Sequence, residues 1–392
     1  MIDTLVIGGG SIKTIASLGA LYVLQEKGIL DNIKKFAGTS AGAVIVTLLV
    51  LGYTPNEINE SIFSKIGNYT NDSFYKIPIN MICNYGLHTG NNMIKFLEGF
   101  FEKKGFKKDI TFKELYDIVP KILVITGTSL STRDTLFFNY QTTPDMSIIK
   151  ALRITSSIPL YFTSVTHLHK GKNHKMCDGG ILLNFPLYYF DYLKVHNKTQ
   201  KDIKLTDIKL ANINLTDINK KLDNSLENEY ILYDSFNELY TKKVKASKQL
   251  KIPLQAQASQ AYQASQAYQA SQACFGLETK KPRTVIGIML LENDENRDTD
   301  NFYTGFKMIT NLKEYVISFI ETILQKIEQD NFLNPLTGTK HNFFNDTITI
   351  KTPPEINIFK FNLSDSENKM LYDLGIKAAN DFFEGELYST FI

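Results

Sequence analysis

Gly38, Thr39, Ser40, Ala41 and Gly42 fit the pattern G-x-S-x-G. This spacing suits a nucleophile, because the serine must sit on a strained strand-to-helix turn and only small neighbours let the backbone bend and Oγ protrude. A helix N-terminus behind it favours developing negative charge. Taken alone, five such residues read equally well as a Gly-rich turn packed against a helix. A nucleophilic serine also needs a base. The stretch "KMCDGGILLNFP" sets Asp178 after a strand-like segment and before Gly179 and Gly180. A carboxylate at such a strand end can reach a serine directly, although in isolation Asp-Gly-Gly reads as a β-turn.

A third stretch, "GGGSIKT" at positions 8–14, could cradle an anion. A phosphate-binding P-loop requires glycine where Ile12 stands, and a dinucleotide fingerprint counted from Gly8 requires one where Lys13 stands. A serine attacking an ester creates a different anion, a tetrahedral oxyanion that needs two or more N–H donors about 3 Å away. The turn at Gly9, Gly10 and Ser11 can supply them, since glycine permits close approach and positive φ. None of the six histidines sits in a motif-like setting. His167, His169 and His174 flank the turn before Asp178 and read as solvated loop residues, while His88, His196 and His341 carry no signal.

The elements that must position these residues are legible around them. "TLVIG" at 4–8 reads as a strand, and "KTIASLGALYVLQEKG" as a helix stopped by Gly28. "KKFAG" reads as a short strand turning at "GTSAG" into an apolar helix from Ala41 to about Leu51. Thr54, Pro55 and Glu57 predict a capping box, as do Thr111 and Glu114. "KILVITGTSL" and "TLFFNY" read as strands, "DMSIIKALRIT" as a helix and "TVIGIMLLE" as a strand. A helical pattern runs from about Tyr303 to Glu328, and "INIFKFNLSDSENKMLYDLGIKAANDFF" reads as a strand and an amphipathic helix. Such alternation predicts an α/β sheet with helices on both faces.

The chain has 392 residues, with 43 Lys plus Arg against 41 Asp plus Glu, so no global basic field points to nucleic acid. Three dispersed cysteines show no C-x-x-C spacing and fit a reducing compartment, which sets the expectation of a cytoplasmic protein. "TLVIGGG" follows the N-terminus with no signal-peptide pattern. The longest apolar run, "AGAVIVTLLVLGY", falls short of the roughly 18 to 20 residues that a membrane span requires and reads as a buried helix. No metal site or cofactor is expected. The acidic run "DENRDTDN" at 294–301 resembles the start of an EF-hand loop, but Thr299 and Gly305 occupy its turn-glycine and glutamate positions.

In this order, the segments resemble the patatin-like phospholipase family: "GGGSIKT", "GTSAGA", "RITSSIPLYFTSV" from Arg153, and "DGGILLNFP" from Asp178. The resemblance implies a three-layer α/β/α domain with a mostly parallel central sheet and a nucleophile elbow. It implies a carboxylic-ester hydrolase of the phospholipase A type, acting on fatty acyl esters of membrane lipids through a Ser-Asp dyad. Ser40 would be the nucleophile and Asp178 the base, with Gly9, Gly10 and Ser11 forming the oxyanion hole. Lys13, Gly38, Gly42, Gly179 and Gly180 would support the motifs, Lys13 reading equally as a helix-start lysine. The family's oxyanion segment normally reads G-G-G-x-[KR]-G, and here Ser11 and Thr14 replace its third and last glycines. That departure keeps open an alternative, a lipid-binding or scaffold protein of the same fold with little turnover.

The resemblance covers most of the chain outside a polar insert at about 197–282, which repeats LTDI twice and contains the low-complexity run "ASQAYQASQAYQASQAC" at 258–274. One interrupted domain over 1–392 is the expectation. Within the insert, apolar residues from Leu232 to Val244 and the lysines that follow, beginning Lys242, Lys243 and Lys245, read as a helix packed on the domain or as a basic amphipathic helix in peripheral contact with an anionic membrane.

Overall fold

The computed structural model describes residues 2–63, 65–70, 77–187, 189–190, 284–292, 346–356 and 358–385. The chain divides into two compact units, and all of these residues except 189–190 belong to the one formed by Met1–Leu187, Lys281–Asn334 and Lys340–Ile392. The expected insert at 197–282, the acidic run at 294–301 and the helix at 303–328 lie outside the described residues.

Four β-branched or apolar residues, Thr4–Ile7, form β1, and all four are fully buried. Burial on both faces is what a strand inside a parallel sheet requires, with layers packed above and below it. β1 pairs in parallel with β2 (Lys35–Gly38) on one side and with β9 (Val285–Glu292) on the other. β10 (Thr347–Thr352) extends the sheet beyond β9, and β4 (Ile122–Ser129) extends it beyond β2, both in parallel. β5 (Asp134–Phe138), β7 (Val165–His169) and β8 (Lys172–Asp178) add an antiparallel portion around β4. A separate two-stranded sheet joins β3 (Gly86–His88) to β6 (Leu160–Phe162). The architecture is a mixed α/β fold with a mostly parallel central sheet.

Helix α1 (Ile15–Glu26) follows β1 through a 3-10 turn over Ser11–Thr14. α2 (Ala41–Val50) is buried at every position after Ala41, which accounts for the long apolar run as a core helix. Among the described residues no helix is long and apolar enough to cross a membrane. The expected capping boxes form at α3 (Pro55–Ile58) and, after α4 (Ile77–Asn84) and α5 (Asn91–Lys103), at α6 (Phe112–Ile118). α7 (Ile148–Thr155) precedes β6, and α8 (Asp365–Glu384) packs on α1. A Cβ on Gly19 would lie 1.9 Å from the Tyr372 carbonyl oxygen and one on Gly375 1.8 Å from that of Ala16, so the two helices meet backbone to backbone.

One expected strand does not form among the described residues. Of "INIFKFN", residues 356 and 358–362 are not a strand, and the strand preceding α8 lies upstream at Thr347–Thr352. Pro353 and Pro354 lack the N–H groups a ladder needs. Beyond them the Ile358 carbonyl accepts a hydrogen bond from the Ser11 hydroxyl, and Phe361 packs on the rings of Tyr161 and Phe162. The alternating apolar pattern there serves separate side-chain contacts.

Candidate active site

Ser40 stands between the end of β2 and the first residue of α2 with φ 52° and ψ −127°, a region costly for a non-glycine residue. Surrounding bonds impose it. The Ser40 N–H donates to Thr155 Oγ1 at 2.8 Å, and the Ser40 carbonyl accepts from the Ala43 N–H at 3.0 Å. Thr39 anchors the turn through its N–H to the Ile7 carbonyl and its Oγ1 to Thr126 Oγ1 at 2.6 Å. The motif glycines are required by space: a Cβ on Gly42 would lie 2.5 Å from the carbonyl oxygens of Ile7 and Gly8, and one on Gly38 2.7 Å from the Ala43 backbone.

β4 brings Asp178 to this turn. β2 pairs with its first half, Gly38 opposite Ile125, while β8 pairs antiparallel with its second half, Asp178 opposite Gly127. β5 occupies the other edge over both Ile125 and Gly127, so β2 and β8 share one edge of β4 and meet end to end. The Ser40 hydroxyl donates to Asp178 Oδ2 at 2.7 Å. The other carboxylate oxygen accepts from the Gly180 N–H at 2.8 Å, and the Asp178 N–H donates to the Ser157 carbonyl at 2.9 Å. Burial pushes the Asp178 carboxyl up to about 7, outweighing the hydrogen bonds from Ser40 and Gly180 that favour its charged form. A Cβ on Gly179 would lie 2.2 Å from Thr126 Oγ1 and one on Gly180 3.0 Å from Asn184 Oδ1, so both glycines make room for polar neighbours of the turn.

The three N–H groups of the Gly-rich turn are not alike. The Gly9 N–H donates to Asn184, at 3.1 Å to Oδ1 and 3.2 Å to the backbone carbonyl. A Cβ on Gly9 would approach Ser40 Cβ to 3.0 Å, so the turn lies against the candidate nucleophile. Among the described residues neither the Gly10 nor the Ser11 N–H finds an acceptor, as the unsatisfied start of a 3-10 turn allows. Ser11 keeps a glycine-like backbone, φ 52°, and its hydroxyl donates to the Ile358 carbonyl at 2.6 Å. Thr14, at the other replaced glycine, donates its hydroxyl to the Ser11 carbonyl. Lys13 is buried, and its N–H donates to the Gly10 carbonyl at 3.1 Å.

His167, His169 and His174 are not loop residues but lie in β7 and β8. His167 and His174 face each other across the β7–β8 hairpin, and both are buried. His174 Nδ1 lies 2.9 Å from Ser129 Oγ, while His167 packs edge-on against Phe138 with neither ring nitrogen hydrogen-bonded among the described residues. Burial, with Lys150 and the other two histidines nearby, lowers His167 to about 4. No histidine among the described residues hydrogen-bonds to Ser40 or Asp178. Nor is any group of three His, Cys, Asp or Glu side chains among them placed to hold a metal.

Sequence reasoning left several supporting residues without a role. Arg153 is buried and donates to Ser157 Oγ, to the Thr89 carbonyl and to both oxygens of Thr163, bracing the turn whose Ser157 carbonyl holds Asp178. Thr155, Thr126 and Asn184 likewise act across long sequence separations. Asn184 lies within "DGGILLNFP", so the motif contained the residue but not its target.

A family model described as patatin-like phospholipase matches residues 5–191. A protein named probable lipid hydrolase 463L, of Invertebrate iridescent virus 6, is 35% identical over 199 residues, covering 50% of this chain and 66% of that protein. The uncharacterized protein YqhO of Bacillus subtilis strain 168 is 32% identical over 196 residues, covering 47% of this chain and 65% of its own. The chain thus spans just under two thirds of the length of these relatives. The crystal structure of VipD from Legionella pneumophila aligns with 98% of this chain and 67% of its own at 14% identity and a TM-score of 0.45, a likeness too loose to add to the assignment. The residues matched by the patatin-like phospholipase model, 5–191, hold Ser40, Asp178 and the Gly-rich turn.

Proposed function

We propose that this protein is a lipid acyl hydrolase of the phospholipase A type, cleaving fatty acyl esters of membrane lipids through Ser40 and Asp178. The observation that carries this reading is the 2.7 Å hydrogen bond from Ser40 Oγ to a buried carboxylate, on an elbow packed against Gly9 of a turn whose next two N–H groups have no acceptor among the described residues. Asp178 takes the hydroxyl proton as Ser40 Oγ attacks the ester carbonyl. The tetrahedral oxyanion is held by the N–H groups of Gly10 and Ser11. Collapse expels the alcohol, which recovers the proton from Asp178, and leaves an acyl group on Ser40. Water then attacks the acyl carbon while Asp178 accepts its proton, and returning that proton to Ser40 releases the fatty acid. A carboxyl near 7 is matched to such proton transfer around neutral pH. The match to the patatin-like phospholipase model and the similarity to a protein named as a probable lipid hydrolase support the lipid class.

The test is turnover of a panel of phospholipids, galactolipids, triacylglycerols and short acyl esters. Ser40→Ala and Asp178→Asn should each lower turnover on the order of 10⁴-fold, with a double variant no worse, because residues acting as one unit do not lose rate additively. Glutamine at His167, His169 or His174 should cost little by comparison. A folded histidine variant as damaged as Asp178→Asn would replace the dyad by a triad. No turnover on any ester, together with no labelling of Ser40 by a fluorophosphonate, would favour a lipid-binding scaffold.

A further inference from the structure

The short helix α4 carries its polarity reversed. Ile79 and Ile82, three residues apart on one face, are 64% and 78% exposed, whereas Asn80 is 6% exposed and donates to the Leu87 carbonyl at 3.1 Å. A surface helix normally buries the apolar stripe and turns amides to water. Met81 and Tyr85 extend the exposed apolar surface.

The β7–β8 hairpin continues this patch. The Ser164 N–H donates to the Asn84 carbonyl at 3.2 Å, and Lys175 Nζ lies 5.8 Å from the centre of the Tyr85 ring. Leu168 is 64% exposed near the hairpin turn, and Lys170, Lys172 and Lys175 are exposed around it. Lys175 and Thr166 are hydrogen-bonded cross-strand partners, and Leu168 lies two residues beyond Thr166 on the same outer face. The two segments, 77–88 and 164–177, contain no aspartate or glutamate.

Exposed isoleucines, a tyrosine at their edge and exposed lysines on segments that contain no aspartate or glutamate match one kind of partner, an apolar layer bearing surface anions. A second copy of the chain fits poorly, because apposing two such patches would bring like-charged lysines together. We propose that α4 and the outer face of the β7–β8 hairpin dock the protein on anionic lipid bilayers, Ile79, Ile82, Tyr85 and Leu168 entering the headgroup–acyl boundary and Lys170, Lys172 and Lys175 meeting lipid phosphate. Both docking elements lead into the candidate site: β8 ends at Asp178, and α4 leads through β3 to β6, which follows Ser157.

The proposal deepens the hydrolase reading, on which its purpose rests, but binding is tested without hydrolysis. The full chain carrying Ser40→Ala is co-sedimented with phosphatidylcholine vesicles and with vesicles containing phosphatidylserine. Binding should favour the anionic vesicles and weaken with salt. Adding Ile79→Asn with Ile82→Asn should reduce it at least about tenfold. Adding Lys170→Glu, Lys172→Glu and Lys175→Glu should reduce it by roughly fivefold or more per lysine on anionic vesicles. In the chain with Ser40 intact, turnover of a soluble short-chain ester should match that of the unmodified chain for both sets, which also shows that they fold. If hydrolysis is absent but binding follows this pattern, the docking surface stands and the hydrolase reading falls. The surface is overturned if both sets bind as the parent does, if only Lys242→Glu, Lys243→Glu and Lys245→Glu abolish binding, or if the parent instead forms dimers that Ile79→Asn and Ile82→Asn dissolve.

Discussion

Asn184 holds Gly9 from two directions: its Oδ1 accepts from the Gly9 N–H at 3.1 Å, and its Nδ2 donates to the Gly9 carbonyl at 3.3 Å. The end of the segment that begins at Asp178 thereby fixes the turn whose next two N–H groups are the oxyanion donors in our proposal. In that proposal Asn184 is a positioning residue. Asn184→Ala should lower kcat by roughly 10²-fold, the scale of one misplaced oxyanion donor, while KM stays within a few-fold. The check is steady-state kinetics on a soluble ester; a raised KM with unchanged kcat would assign Asn184 to substrate binding instead.

The carboxyl of Asp178, raised to about 7 by burial, sets a pH dependence. As the base of the proposed dyad it must be ionised, so kcat/KM should rise with pH along an acidic limb centred near 7. Stability should move the other way. The folded pKa lies above the unfolded one, so the folded state binds more protons between about pH 4 and 7 and loses stability as pH rises through that window. Asp178→Asn, which cannot ionise, should therefore unfold at a higher temperature than the parent at pH 8, with a smaller gap at pH 5. Equal gaps at both pH values, read by thermal denaturation, would show that the carboxylate's charge is not the cause.

Ser11 combines a φ of 52° with a hydroxyl bonded to the Ile358 carbonyl. Glycine and alanine both remove the hydrogen bond, but only glycine relieves the left-handed backbone, worth about 1–2 kcal/mol. Ser11→Gly should consequently be more stable than Ser11→Ala by about 1 kcal/mol, the reverse of the difference expected from the greater chain entropy of glycine alone. Urea denaturation of both variants decides it, and alanine equal to or above glycine would mean the turn relaxes out of the left-handed region.

Local chemistry made much of this protein legible from its sequence. "TLVI" and "KFAG" declare strands by composition, "GTSAG" declares a tight turn by the size of its residues, and Thr54 with Glu57 or Thr111 with Glu114 declare helix starts, because each signal acts within a few residues. What depends on separation along the chain was decided only by tertiary structure. The meeting of Ser40 with Asp178 needs β2 and β8 to share one edge of β4, a register written in no single segment. Whether Gly9 offers its N–H depends on Asn184, 175 positions away, and whether "INIFKFN" pairs as a strand depends on the prolines before it and on Ser11, 347 positions before Ile358. The burial of His167 and His174 and the exposure of Ile79 and Ile82 invert what their residue types suggest. Residue type sets the free energy of transfer from water, but only packing decides which faces remain in contact with it.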